Sequence, residues 1–217
     1  MSRPAVAGVH SLSVAGLSLS RGPRRLFSDL AWRLDSGHAL ILRGANGSGK
    51  TTLLRVLAGL TASDSGSVKW DDLQWTPLCA GQRAATLYLG HINALKDELT
   101  AAENLTEALS FDGLAVTDSA QRAALDRVGL SGRHDLLARR LSQGQKRRIG
   151  LARLSLSEKP LWLLDEPTNA LDAEGAALFS DLVDEHLNRG GMACIATHLP
   201  LALAGRTREL AMGTTIQ

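Results

Sequence analysis

Long apolar runs are missing from this sequence: the longest, such as residues 39–42 and 161–164, fall far short of the ~18 residues that a membrane-spanning helix needs. A spanning helix is therefore not expected. Cysteine is scarce too. Cys79 and Cys194 lie far apart, in segments that read as loop and strand, which argues against a disulfide framework or a paired metal site and fits a reducing compartment. Nor does one charge dominate, since 24 basic residues face 22 acidic ones and neither sign collects in a long block. Nucleic acid is accordingly not expected as the main partner. The first twenty residues carry Arg3 and small apolar residues in the manner of a signal peptide, but Pro4, His10 and several serines interrupt them. Residues 9–20 alternate as a first strand does.

What is present is enough for one core. A chain of 217 residues with 44% hydrophobic content can bury a substantial interior but is short for two complete domains. Strand-like runs at 39–42, 84–89, 161–164 and 192–197, mostly separated by helical stretches, are the layout of an α/β domain with a largely parallel sheet. Between Asn93 and Pro160 the strand signal stops. Helices are predicted there over 101–109, 118–128 and 142–157, a helical insertion bounded by Gly90 and by the helix-ending Pro160.

The first chemical signal is a glycine loop. The run Gly44-Ala45-Asn46-Gly47-Ser48-Gly49-Lys50-Thr51 follows the strand at 39–42 and opens an apolar helix over 52–60, the context a phosphate-binding loop requires. Its glycines let the backbone turn tightly and aim amides inward, and the helix adds its positive end. Lys50 would place a charge on the β- and γ-phosphates, and the Thr51 hydroxyl would help to hold Mg²⁺.

The second is a carboxylate pair. Leu161-Trp162-Leu163-Leu164 reads as a strand buried on both faces, and it delivers Asp165 and Glu166 at its C-terminal end, where ligands of open α/β sheets gather. Asp165 can serve the magnesium through its hydration shell, and Glu166 can polarise the water that attacks the γ-phosphate. Alone, such a pair is as often a helix N-terminal feature.

The segment Leu141-Ser142-Gln143-Gly144-Gln145, opening a basic helix, sets this chain apart from other phosphate-loop proteins. Taken with Gly44 to Thr51, Asp165-Glu166, Asn169-Ala170-Leu171-Asp172 and His198, it resembles the nucleotide-binding subunits of ABC transporters over nearly the whole chain. The resemblance implies one ABC-type P-loop ATPase domain over 1–217, with a mostly parallel sheet core, a helical subdomain at about 93–160 and an N-terminal antiparallel β part. It implies ATP and Mg²⁺ as ligands and a head-to-tail homodimer. ATP would be bound by Gly44 to Thr51 and Thr52, and by Ser142, Gly144 and Gln145 acting in trans. Glu166, Lys50 and His198, the last on the γ-phosphate, would carry catalysis, and Thr51, Asp165 and the residue at His91 would serve the metal. Ser142 also suits an N-cap.

Three positions depart from that family. His91 stands where it has a glutamine, Arg21 where an aromatic stacks on adenine, with Phe27 six residues later, and Asn169 where serine is commonest. Arginine can still stack through its planar guanidinium. The stretches Leu87 to His91 and Lys96 to Leu105, with the short run after His198, look like the ATPase subunits of the cytochrome c maturation system, the haem exporter. This implies a CcmB-like integral membrane subunit and haem-handling membrane proteins as partners, and a peripheral place on the cytoplasmic face of a bacterial inner membrane. Direct haem binding is not expected, because no Cys-x-x-Cys-His occurs and no apolar pocket is evident around the six histidines. Another exporter's ATPase shares the same engine. A non-transport ABC protein would carry two cassettes or a long coiled-coil insert, and a phosphate-loop kinase would leave the signature unexplained.

Overall fold

The computed structural model describes residues 8–77, 79–91 and 94–213. Its elements run β1 (Ser11–Arg21), β2 (Arg24–Asp35), β3 (His38–Arg43), α1 (Lys50–Leu57), β4 (Ser65–Trp70), β5 (Leu73–Gln74), α2 (Ala80–Ala85) and β6 (Thr86–Leu89). There follow α3 (Ala101–Phe111), α4 (Asp118–Arg127), a single 3₁₀ turn (Ala138–Arg140), α5 (Gln143–Leu156), β7 (Leu161–Asp165), α6 (Ala173–Asn188), β8 (Met192–Ala196) and β9 (Arg206–Ala211).

Two sheets result. Strands β6-β7-β8-β3-β9 form a parallel sheet and β2-β1-β4-β5 an antiparallel one. Every residue of β7 and β8 is buried, as expected of strands covered on both faces. Side chains then alternate between two cores. Leu161 and Leu163 join Leu40, Leu42 and Cys194 in a cluster with Leu53, Leu54 and Leu57 of α1 and the apolar face of the antiparallel sheet. Trp162 and Leu164 join Ile41, Leu89 and Ile195 in a second cluster against α3, α4, α5 and α6. Helix α1 is thus wedged between the sheets, which fixes the loop that precedes it.

The helices of the middle section have strong local signals. Thr100 and Glu103 close a capping box on α3, Thr117 caps α4, and Ser142 with Gln145 closes a second capping box on α5, each satisfying amides that a helix start leaves orphaned. The expected start of this section at Asn93 lies outside the described residues, as do residues 1–7 of the signal-like stretch.

Several expectations need correction. Residues 84 and 85 end α2 instead of starting a strand. The helix after the glycine loop begins at Lys50 and ends at Leu57 rather than running to Leu60. The antiparallel N-terminal part that the resemblance implies is present as β2-β1-β4-β5, but no range was expected for strands β2, β4, β5 and β9 or for helix α6. The pairing of β1 with β2 shifts register at three places, and each shift breaks the period-2 pattern by which a strand is recognised. β9 has no buried residue and is a strand only because β3 pairs with it. One histidine does sit in apolar surroundings: His186 is wholly buried, its ring stacked 3.9 Å from that of Trp162 and its Nε2 3.1 Å from the Met192 carbonyl. Among the described residues no helix is long and apolar enough to cross a membrane.

Candidate nucleotide site

β3 ends at the loop 44–49, and α1 starts on Gly49, which is in the left-handed region at φ 97°. Helix α1 has no side-chain cap, whereas each of the five other α-helices among the described residues has one. Its first amides are left for a ligand, and the helix dipole favours an anion there. Gly44 (φ 151°) cannot be replaced freely, because a Cβ would lie 2.5 Å from the Met212 carbonyl oxygen and 2.7 Å from Ser48 Oγ. Lys50 is buried and arches over the loop, its Nζ donating to the carbonyls of Gly44 at 2.7 Å and Ala45 at 3.2 Å.

Thr51 Oγ1 donates to Asp165 Oδ1 at 3.0 Å, bridging the loop to the end of β7. Asp165 is 1% exposed, and among the described residues its second oxygen, Oδ2, has no hydrogen-bond partner. Burial pushes this carboxyl above its ordinary value, opposed by the Thr51 hydrogen bond and by the nearby His91. A buried carboxylate oxygen left open beside a threonine hydroxyl is a donor set that suits a hard divalent cation. No three His, Cys, Asp or Glu residues cluster into a metal site among the described residues, so such a cation would take other ligands from nucleotide oxygens and water.

Glu166 follows in the left-handed region at φ 47°, an uncommon place for a non-glycine residue. Its amide donates to the Ala196 carbonyl of β8 at 2.8 Å, and its Oε2 lies 3.0 Å from Nδ1 of the half-exposed His198. Parallel pairing of β7 with β8 sets these two residues side by side.

Several of these groups line one cleft of about 510 Å³, whose wall includes Asn46, Gly47, Lys50, Thr51, His91 and Glu166, while Asp165 and His198 are not part of its lining. Its far side is made by Arg21, Arg24 and Leu26 from the β1–β2 hairpin, with Arg55 of α1. Arg24, Leu26 and Arg55 were missed. Gly22-Pro23 marks a turn, and because Arg21 pairs with Arg24 across it, the first arginine implies the second. Phe27, in contrast, is buried in the core beside Gly49 and offers no face to the cleft.

The signature residues Ser142, Gly144 and Gln145 do not line this cleft. Ser142 and Gln145 are engaged in the α5 capping box. Gly144 is packed so closely that a Cβ would lie 2.7 Å from the Ala170 carbonyl oxygen. Asp172 caps α6 through the Gly175 amide and pairs with Arg148 at 2.7 Å, contacts that hold its carboxyl below the usual range.

A glycine loop lies beside a buried aspartate, a glutamate and a histidine, and comparison with known proteins places the chain independently of that geometry. The profile of the ABC transporter family matches residues 27–169. The chain belongs to the ABC transporter ATP-binding family. It is similar to the cytochrome c biogenesis ATP-binding export protein CcmA of Dechloromonas aromatica, with 44% identity over 93% of this chain and 100% of that one. It is similar also to the CcmA protein of Methylococcus capsulatus, at 45% identity over 92% and 96% of the two chains. In fold it matches an ABC transporter ATP-binding protein from Pyrococcus furiosus, with a TM-score of 0.80 at 22% identity over 92% of this chain and 97% of that one. It matches too an ATP-binding cassette solved as a dimer in a post-hydrolysis state with ADP and Pi, with a TM-score of 0.73 at 22% identity over 87% and 88% of the chains. The subunit is a nucleotide-binding, ABC-type ATPase.

Proposed function

We propose that this ATPase drives haem export, or release of a haem-loaded chaperone, in c-type cytochrome maturation. The observation that carries the ATPase chemistry is the continuous line Thr51–Asp165–Glu166–His198, which joins the glycine loop to the ends of β7 and β8 and of which Thr51 and Glu166 line the cleft. The assignment to cytochrome c maturation is supported by relatives that match over most of both chains and are named cytochrome c biogenesis export proteins.

ATP would lie with its phosphates in the Gly44 to Thr52 cradle, neutralised by Lys50 and by the first amides of α1. Thr51 and Asp165, with His91 at the cleft edge, would hold Mg²⁺, which would supply neutralisation of phosphate charge. Glu166 accepts a hydrogen bond from the attacking water and orients it, and His198, beside Glu166, faces the γ-phosphate. Arg21 and Arg24 offer planar guanidinium faces to the base, and Leu26 an apolar edge.

Ser142, Gly144 and Gln145 act on the nucleotide of a second copy. Their absence from the cleft of their own chain supports this, and a helix N-terminus whose glycine permits close approach suits a γ-phosphate. Closure on ATP and reopening after hydrolysis make a mechanical cycle. A largely apolar groove of about 170 Å³ between the end of β6, α3 and α5, with Tyr88, Gly90, Leu95 and Ile149 in its wall, would receive a cytoplasmic helix of a CcmB-like membrane subunit one residue away from His91. In this reading the ATPase works at the cytoplasmic face of the inner membrane, and haem is handled by its partners.

The test is a strain whose only copy carries Glu166→Gln. c-type cytochromes should remain immature while haem accumulates on its membrane-side chaperone. Normal cytochrome c in that strain would sink the haem assignment and leave the ATPase reading standing.

A further inference from the structure

Arg147 sits one turn into α5, four residues after Gln143, and is 2% exposed. A buried guanidinium must find hydrogen-bond acceptors for its N–H groups to offset its lost hydration. Here it finds backbone carbonyls of the nucleotide site. Nε donates to Pro167 at 2.9 Å, and Nη2 donates to Asp165 at 3.0 Å and to Glu166 at 2.8 Å. Nη1 donates to Gly90 at 2.9 Å, the residue before His91. Burial works against its charge, and the charges of Asp165 and Glu166 work for it.

Three of the carbonyls so gathered belong to consecutive residues, the last of β7 and the first two of the turn that follows it. That turn contains the left-handed Glu166, a strained conformation for a non-glycine residue that persists only where its surroundings enforce it. The enforcement is on both sides of the residue: the Glu166 amide is held by the Ala196 carbonyl and the Glu166 carbonyl by Arg147. The forked geometry of arginine matters, because a lysine ammonium cannot span acceptors on Pro167, Asp165 and Gly90 at once.

We infer that Arg147 is a positioning residue for Glu166: it holds the left-handed turn that aims the carboxylate into the cleft, and it ties that turn to Gly90 and to the signature helix. A displacement of α5 is then transmitted to the Glu166 backbone and to the segment leading to His91 as one rigid unit. The inference rests on Glu166 acting on the attacking water.

The experiment uses the full-length subunit with Arg147→Lys, which keeps the charge and loses the fork, and Arg147→Met, which keeps the length with no charge to bury. MgATP affinity and steady-state hydrolysis are measured in each, alone and combined with Glu166→Gln. Either folded variant should bind MgATP within about threefold of the native subunit while kcat falls at least about tenfold, the split expected when an interaction made only on the way to the transition state is lost. In the Glu166→Gln background the same substitution should lower the residual rate by less than about twofold, because a residue acting through Glu166 has nothing left to position. A full tenfold loss in both backgrounds, a kcat near native, or loss of nucleotide binding together with kcat would overturn the inference. Failure of both variants to fold would overturn it as well, by showing that the side chain serves the fold alone. If Glu166→Gln itself retains native turnover, the reading of Glu166 fails first, whatever Arg147→Lys does.

Discussion

Replacing Glu166 by glutamine isolates one property of the site. The side-chain amide has the shape of the carboxylate, so the left-handed turn, the hydrogen bond from the backbone N–H of residue 166 to the Ala196 carbonyl and a hydrogen bond to His198 can all be kept. What disappears is the negative charge and with it the capacity to take a proton from water. General-base catalysis contributes about 10²–10⁴ in rate, so kcat should fall by that factor, equivalent to about 3–5 kcal/mol of barrier. Ground-state binding should move the other way or not at all. Glu166 is only 9% exposed, and a buried carboxylate near the γ-phosphate repels it, so removing that charge leaves MgATP affinity unchanged or slightly tighter. The dimer closed on ATP should consequently accumulate. Steady-state phosphate release, equilibrium nucleotide binding and size-exclusion chromatography with ATP read the three quantities separately. Residual turnover above about a tenth of native, corresponding to ~1.4 kcal/mol, would remove Glu166 from the base role. Loss of binding in parallel with rate would refute the geometry.

Asp165→Asn should abolish magnesium-dependent hydrolysis yet raise the melting temperature of the nucleotide-free protein at neutral pH by about 2–4 °C, the shift that about 1 kcal/mol makes at this chain length. Burial raises the Asp165 carboxyl, so the folded chain binds its proton more tightly than the unfolded one. The cost of the buried charge is full above the folded pKa and fades as pH falls, so the difference in melting temperature should shrink on acidification, and a difference independent of pH would contradict the assignment. Lys50→Ala should lose nucleotide binding, whereas Gly144→Asp should keep it and fail to close. A mixed dimer of the two carries both lesions in one composite site and none in the other, so residual hydrolysis there would support action in trans. With Arg21, Arg24 and Leu26 on the wall where an aromatic would stack, GTP should compete for the site within about an order of magnitude of ATP, and a preference for ATP of about 1,000-fold, about 4 kcal/mol, would rule out a base held only by guanidinium faces. His91→Ala should slow turnover of the assembled membrane complex more than that of the isolated subunit, and equal slowing would reduce His91 to a local role.

The parts of the molecule readable in sequence are those whose physics is local. A phosphate loop is one contiguous turn with glycines where the backbone must go left-handed, and Gly44, Gly47 and Gly49 announce it. The runs at β7 and β8 are apolar throughout because both faces are covered, and the caps at Thr100, Thr117 and Ser142 act within three residues. Where pairing is long-range the signal fails. β9 is a strand by virtue of β3, and β2 follows bulges that no periodic test tolerates.

The same division runs through the site. Sequence alone named Lys50, Thr51, Asp165 and Glu166, since each closes or follows a strand or opens a helix at a recognisable place, and the family resemblance added His198. Tertiary structure alone decided that Thr51 bridges to Asp165 across 114 positions in the chain, that Phe27 turns inward while Arg24 faces the cleft, and that one arginine in a basic helix is a buried clamp. A run of basic residues does not reveal this: Lys146, Arg147 and Arg148 are adjacent in sequence, yet only Arg147 points at the carbonyls behind Glu166. Which way a side chain faces is set by how its helix packs, and that packing depends on residues far away in the chain.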